Sequence, residues 1–366
     1  MNNNIENKYS DITLEVCTES IRHNYRYLCS KASNSVCAVV VKADCYGLGV
    51  NNIAPVFQDE GCRDFFVANF DEALNLRSIL SDNSNIYVFH GVKEGEHEGF
   101  YQNNIIPVLN SFSQLEMWSD YSKQIGKKLP CIIHIDTGLN RLGINFEDLQ
   151  KLYDFKPNEK LDVRYFMSHL SCILQPGHPL NHEQLEKTRV INSYFPDKPI
   201  TLANSKGVIA SEDYHFDMVR PGSALYGIKG KHYHGDIRHS VIVKGRIIQI
   251  REVQNDGFVG YGATKAIKKG SRLAVVPIGY ADGYMRILSD NIHAYFGEFK
   301  IPAVGIISMD MTIFDISDIP ESQINEGDEI ELVSSRIPVD ELAEKAGTIG
   351  YEIMTSFGSR YKRVYK

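Results

Sequence analysis

Short apolar runs punctuate the first two thirds of the chain, at residues 36–41, 65–68, 86–89, 105–108, 131–135, 163–167, 200–203 and 218–219. Runs of this length read as strands. Their starts lie about 18 to 37 residues apart, which leaves room for a helix and short loops in each interval, and residues 70–80 and 111–125 carry apolar positions at helical spacing. Eight such units predict an α/β chain folded as a (β/α)8 barrel. An open doubly wound sheet is the competing arrangement, but Gly47-Leu48-Gly49 after the first run lacks the third glycine of a dinucleotide fingerprint. Beyond Ser240 the texture changes to β-branched runs broken by turns, at 241–251, 271–278, 301–307, 312–316 and 329–333, with a last helix-like piece at 339–345. The predicted domains are therefore a barrel over residues 1–236 and a mostly-β domain over 237–366. The stretch 229–240, with His232, His234 and His239, reads as a linker.

Composition narrows the function classes. The chain has 366 residues, 43% of them hydrophobic and 23% charged, as in an ordinary globular protein of two domains. A net charge of -7 argues against a nucleic-acid partner, since its basic clusters at 265–269 and 360–366 are short and read as solvated edges. Residues 1–11 are polar and lack the apolar core of a signal peptide, and no run approaches the roughly 18 apolar residues of a membrane span, which points to the cytoplasm. Cys17, Cys29, Cys37, Cys45, Cys62, Cys131 and Cys172 include no CxxC pair, so they read as small buried residues. His178 and His182 have metal-like spacing but sit among Pro176, Gly177 and Pro179, which fits a polar loop; no metal is expected.

Candidate chemistry gathers at the ends of the predicted strands. Active sites of such barrels lie at the C-terminal ends of the strands, and the polar residues there are Lys42 and Tyr46, His90, Asp136 to Arg141, His169, Asn204 and Ser205, and Arg220 to Ser223. A lysine ending a buried strand either snorkels to solvent or, partly desolvated, becomes an amine suited to imine chemistry. Loops after strands seven and eight commonly hold a phosphate, and Asn204, Ser205, Gly222 and Ser223 offer hydroxyls and close-approach backbone amides there. A phosphate site and a strand-end lysine together suggest pyridoxal phosphate.

The segment Val41-Lys42-Ala43-Asp44-Cys45-Tyr46-Gly47 resembles the cofactor-lysine motif of alanine racemases. His134-Ile135-Asp136-Thr137-Gly138-Leu139-Asn140-Arg141-Leu142-Gly143 is similar to that family's DTGMNRLG segment, and Val219-Arg220-Pro221-Gly222 through Tyr226-Gly227 to its RPG…YG segment. Gly260-Tyr261-Gly262-Ala263-Thr264, Ile278-Gly279-Tyr280-Ala281-Asp282-Gly283-Tyr284, Ser308-Met309-Asp310 and Ile349-Gly350-Tyr351-Glu352 follow in the family's order. The resemblance spans nearly the whole chain.

It implies a pyridoxal 5'-phosphate enzyme that interconverts L- and D-alanine, supplying D-alanine for peptidoglycan, as a head-to-tail homodimer whose β domain completes the partner's site. Lys42 would hold the cofactor and act as one base, and Tyr261 would be the other, from the second subunit, because racemisation needs a proton removed from one face and returned to the other. A tyrosine, with an ordinary pKa near 10, needs positive charge nearby, and His169 and Arg220 are the implied helpers. Arg220 would also face the pyridine nitrogen; unlike a carboxylic acid it cannot donate a proton to it, which restrains transamination. Tyr46, Ser205, Gly222 and Tyr351 would bind the phosphate, with Asn204, Ser223 and His169 beside the cofactor. Arg141 and Met309 would meet the substrate carboxylate, and Tyr351 and Tyr284 would narrow the entrance, unless Tyr284 is a core residue.

Some positions depart from the family pattern. His134 stands where many racemases carry a lysine that becomes carbamylated and supports the arginine here numbered Arg141, and histidine forms no stable carbamate. Leu48 replaces a frequent histidine, Gly350 a usual asparagine, and the 171–181 loop lacks the common form; these bear on substrate range. The alternatives are a racemase of broader specificity, acting on serine, and an amino-acid decarboxylase of the same fold type. The decarboxylase would carry a carboxylate at the Arg220 position and a cysteine in the β domain, and no cysteine follows Cys172.

Overall fold

The computed structural model describes residues 7–230 and 235–366, so His232 and His234 of the predicted linker lie outside the described residues. Two compact units emerge. One takes residues 21–225 and 235–237; the other takes residues 7–20, 226–230 and 238–366.

The first unit is the predicted barrel. Its parallel strands run in chain order through Asp64–Val67, Asn85–Val88, Ile105–Leu109, Pro130–Asp136, Asp162–Met167, Ile200–Asn204 and Met218–Arg220. The first apolar run closes the ring by splitting at Ala38: Val36 and Cys37 pair with Met218 and Val219, whereas Val39 and Val40 pair with Phe65 and Phe66. Both ladders continue past the split, since Ala38 N–H bonds the Val219 carbonyl at 3.0 Å and Val41 N–H that of Phe66 at 2.9 Å. One bent strand thus satisfies the backbone of the first and last barrel neighbours.

Inward-facing residues fill the lumen. Ala38, Val40, Phe66, Ile106, Ile132 and Met167 belong to one buried cluster, in which the Phe66 ring stacks on Tyr87 at 4.6 Å and on Phe89 at 5.0 Å. A lumen packed in this way is a core and not a pore, and it leaves the strand ends for chemistry.

The second unit is mostly β. Its six-stranded sheet runs in the order Phe299–Pro302, His293–Phe296, Glu329–Val333, Val241–Arg246, Ile12–Val16, Lys362–Tyr365, and a three-stranded sheet holds Gln249–Glu252, Arg272–Val276 and Thr312–Asp315. Ile12–Val16 alternates buried and half-buried residues, with Leu14 opposite Val243 on one side and beside Arg363 on the other. Glu15, on its other face, bonds Lys244 at 2.9 Å and Lys366 at 2.8 Å, tying three strands by charge. The helix Gly350–Thr355 follows the predicted one.

Candidate active site

Lys42 ends the first strand at a sharp backbone feature. Ala43, Asp44, Cys45 and Tyr46 all have φ between 50° and 58°, a left-handed turn made without glycine. Each such residue costs about 1–2 kcal/mol relative to the right-handed form, so the turn must be held from outside. Asp44 Oδ1 accepts the Val50 N–H at 2.7 Å, and Glu72 Oε1 accepts that of Ala43 at 2.9 Å. Lys42 Nζ lies 5.7 Å from the centre of the Phe89 ring. Burial, and then the Arg141 charge, lower the Lys42 pKa, with Glu72 opposing them; the amine is thereby biased toward its nucleophilic form.

The ends of strands seven and eight form a small cradle. Ser205 Oγ accepts the N–H groups of Gly222 at 2.8 Å and Ala224 at 3.2 Å, which leaves its own proton to donate. A Cβ on Gly222 would run into the Tyr46 hydroxyl, so glycine is what lets the tyrosine reach this loop. Asn204 is placed as a helix cap, its Oδ1 accepting from Lys206 and Gly207 N–H, both at 3.1 Å. Ser223 opens the short turn Ser223–Tyr226 beside them.

Arg220 is 2% exposed and its acceptors are neutral: Thr201 Oγ1, the Ser168 carbonyl at 2.7 Å and the Leu202 carbonyl at 3.3 Å. Thr201 donates its hydroxyl proton to the Met218 carbonyl at 2.8 Å, which turns a lone pair toward the guanidinium. Burial pushes the Arg220 pKa down to about 9, so the cation survives at neutral pH. Among the described residues no carboxylate pairs with it.

His134 is buried in the strand Pro130–Asp136, and its tautomer follows from its partner. Asn110 Nδ2 donates to the carbonyls of Phe89 at 2.9 Å and Val108 at 2.8 Å, so its Oδ1 is what faces His134 Nδ1 at 2.8 Å. An amide oxygen only accepts; Nδ1 therefore carries the proton and Nε2 presents a lone pair. Burial, with Arg220 beside it, pushes the His134 pKa down to about 3. Below about 6.5 the unfolded chain takes up a proton that native His134 refuses, so stability is expected to fall as pH drops from about 6.5 to about 3, by at most about 1.4 kcal/mol per pH unit. Denaturant unfolding at a series of pH values checks this: His134→Gln should flatten the acid limb, and an unchanged limb would mean that His134 titrates normally in the native state.

His169 is likewise held neutral, its pKa lowered well below the usual value by burial and then by Arg220 and Arg141. This corrects the reading of His169 as a positive helper; the positive field comes from the two arginines. Asp136 organises the following loop by accepting from Gly138 and Leu139 N–H, both at 2.8 Å, and from Arg141 N–H at 3.3 Å. Lys42, His134, His169, Arg141 and Arg220 are close enough to shift one another's protonation, so the structure brings these strand-end residues together. His178, by contrast, caps a helix, its Nδ1 accepting from Leu180 N–H at 3.2 Å.

In the β unit, Tyr261 stands 71% exposed on the turn Tyr261–Ala263, and Met309 is 53% exposed. Gly279 packs against the carbonyls of Ser308 and Met309, which a Cβ would hit, and the N–H groups of Tyr280 and Ala281 bond those carbonyls at 3.1 Å. Tyr280 is thereby displayed beside Met309, whereas Tyr284 is 3% exposed and belongs to the core. Of the two readings of Tyr284, the core one holds. Arg360 locks this corner, bonding buried Asp282 at 2.6 and 2.9 Å and Asp310 at 2.7 Å. Tyr351, on Gly350–Thr355, is half-buried and its pKa is raised by burial and by Asp340.

Residues 16–230 match the family described as alanine racemase, N-terminal domain, and residues 240–365 match alanine racemase, C-terminal domain. The chain belongs to the alanine racemase family. An alanine racemase of Rickettsia peacockii is 38% identical over 354 residues, covering 96% of this chain and 98% of its own. One from Brucella abortus is 36% identical over 367 residues, covering 96% and 93%. Among solved structures, the alanine racemase from Bartonella henselae with covalently bound pyridoxal phosphate has a TM-score of 0.92 at 38% identity, over 97% of this chain and 99% of its own. The biosynthetic alanine racemase from Pseudomonas aeruginosa has a TM-score of 0.88 at 30% identity, over 97% and 99%.

Within this alanine racemase framework, two residues lie outside every motif, and a third, Tyr280, lies in one without being singled out. Glu72 braces the Lys42 turn. Gln184, fully buried on Pro179–Tyr194, donates to the His169 carbonyl at 2.9 Å and accepts from Ser171 N–H at 2.9 Å, fixing the loop that carries His169. Tyr280 is the displayed tyrosine of its segment. Only Glu72 leaves a local signal, the Asn69-Phe70-Asp71-Glu72 pattern of a helix start.

Proposed function

We propose that this chain racemises alanine with pyridoxal phosphate held on Lys42. The observation that carries this reading is the grouping, on one rim of the barrel, of a desolvated lysine amine, a serine hydroxyl with a free proton and a buried arginine without a carboxylate. These residues fit the cofactor. Ser205, Tyr46 and the Gly222 loop suit its phosphate, with Asn204 and Ser223 at the edges and Tyr351 of the partner subunit beside it, and Arg220 has N–H donors for its ring nitrogen. When bound, the cofactor draws electrons from the substrate's α-carbon and so acidifies its proton.

The protein's part is to move that proton. Lys42 Nζ serves one face of the substrate, and Tyr261 of the partner subunit serves the other; its high exposure in one chain, with that of Met309 and Tyr280, supports a surface that a second copy covers. Arg141 pairs with the substrate carboxylate, and Met309 of the partner subunit lines its pocket. The arginine at 220 speaks against a decarboxylase of this fold type.

D-Alanine for peptidoglycan is the use we assign to the product, and the cytoplasm its place, in keeping with seven free thiols. Among the described residues no helix is long and apolar enough to cross a membrane.

Borohydride reduction of the cofactor-loaded protein, followed by peptide mapping, tests the assignment. The label is expected on Lys42. A label on another lysine would overturn it.

A further inference from the structure

Glu72 sits three residues into the helix Phe70–Ile79, whose cap residue Asn69 accepts the Glu72 N–H at 2.9 Å. In a capping box the acid would return to the N–H of the cap residue itself. Here it reaches further, with Oε2 accepting from Ala68 N–H at 2.7 Å and Oε1 from Ala43 N–H at 2.9 Å. One carboxylate therefore joins the end of the second barrel strand to the residue directly after Lys42. That residue opens the left-handed turn, and a turn of four strained residues keeps its shape only where its surroundings over-determine it.

We propose that Glu72 is a positioning residue for Lys42, its carboxylate clamping the Ala43 and Ala68 N–H groups so that the amine is aimed for imine formation. The inference rests on the reading of Lys42 as the cofactor lysine. Glu72 has a second effect on the same amine. The charges that face Lys42 are Arg141, which lowers its pKa after burial has done so, and Glu72, which raises it; His169, which also feels Lys42, is neutral. Loss of the Glu72 charge therefore frees the amine at lower pH, whereas loss of the clamp slows its reaction at every pH. A carboxylate that served only the fold would change stability and leave the plateau rate alone.

Apoprotein mixed with pyridoxal phosphate across a pH series, followed by absorbance of the imine, reads both effects. Glu72→Gln keeps the size but loses the charge and one acceptor: the midpoint should move to lower pH and the plateau rate fall roughly tenfold. Glu72→Asp keeps the charge but is too short to span both N–H groups, so the midpoint should stay and the plateau should still fall. A glutamine variant with the wild-type plateau overturns the proposal, whatever its midpoint. If that variant does not fold, an aspartate variant with the wild-type plateau overturns it equally. Wild-type protein that forms no imine would instead refute the reading of Lys42, a separate failure.

Discussion

Lys42→Ala and Tyr261→Phe homodimers are each expected to racemise alanine about 10²- to 10⁴-fold more slowly than wild type, and an equal mixture of the two to recover about a quarter of wild-type activity. The first figure is the usual contribution of a positioned proton-transfer group. The second follows from symmetry. If Lys42 and Tyr261 meet across a two-fold interface, each mixed dimer has one site with both lesions and one site with none. Random re-pairing makes half the dimers mixed, and half the sites in those are whole. The measurement is activity after dissociation and re-pairing, with subunit exchange confirmed by differently tagged chains. Exchange without recovery would place both bases in one subunit.

Replacement of Arg220 should act on stability as well as on turnover. Arg220→Ala leaves Thr201 Oγ1 and the Ser168 and Leu202 carbonyls facing a cavity without a donor. Each buried acceptor left unpaired costs about 1–3 kcal/mol, less where water enters, so the apoprotein should lose roughly 3 kcal/mol in denaturant unfolding. Arg220→Glu should be worse, because a carboxylate would confront the same oxygens. Arg220→Lys keeps a donor and the charge but not the fork of N–H groups, and should fall between wild type and alanine. A wild-type unfolding midpoint for the alanine variant would show that the guanidinium does not hold these strands.

The barrel was legible because strands covered on both faces are continuously apolar, and every one of the eight runs lies on a barrel strand. The split of the first run at Ala38 was not, since it depends on which neighbour each half pairs with and leaves no mark in composition. Ile12–Val16 alternates apolar and polar residues, a signal easily lost beside a polar terminus, and His293–Phe296 is similarly half-exposed. At the site, Lys42, Ser205, Arg220 and Gly222 could be named because strand ends are predictable positions. The lowered pKa of His169 could not, because it depends on burial and then on arginines far away in sequence. Glu72 and Gln184 act on backbone groups that only the folded chain brings to them. The tyrosines of residues 278–284 show the same limit from the other side, as the motif holds two and only packing tells which is displayed.

The most direct test of the central claim is to load the purified protein with pyridoxal phosphate, supply L-alanine in heavy water, and follow D-alanine by chiral chromatography and the α-position by mass spectrometry. Enantiomers have equal free energy, so the account predicts progress to equal amounts of L- and D-alanine, with deuterium on the α-carbon of the product and loss of activity in Lys42→Ala. Cofactor-loaded wild-type protein that leaves L-alanine unchanged, or that releases carbon dioxide from an amino acid instead, would contradict it.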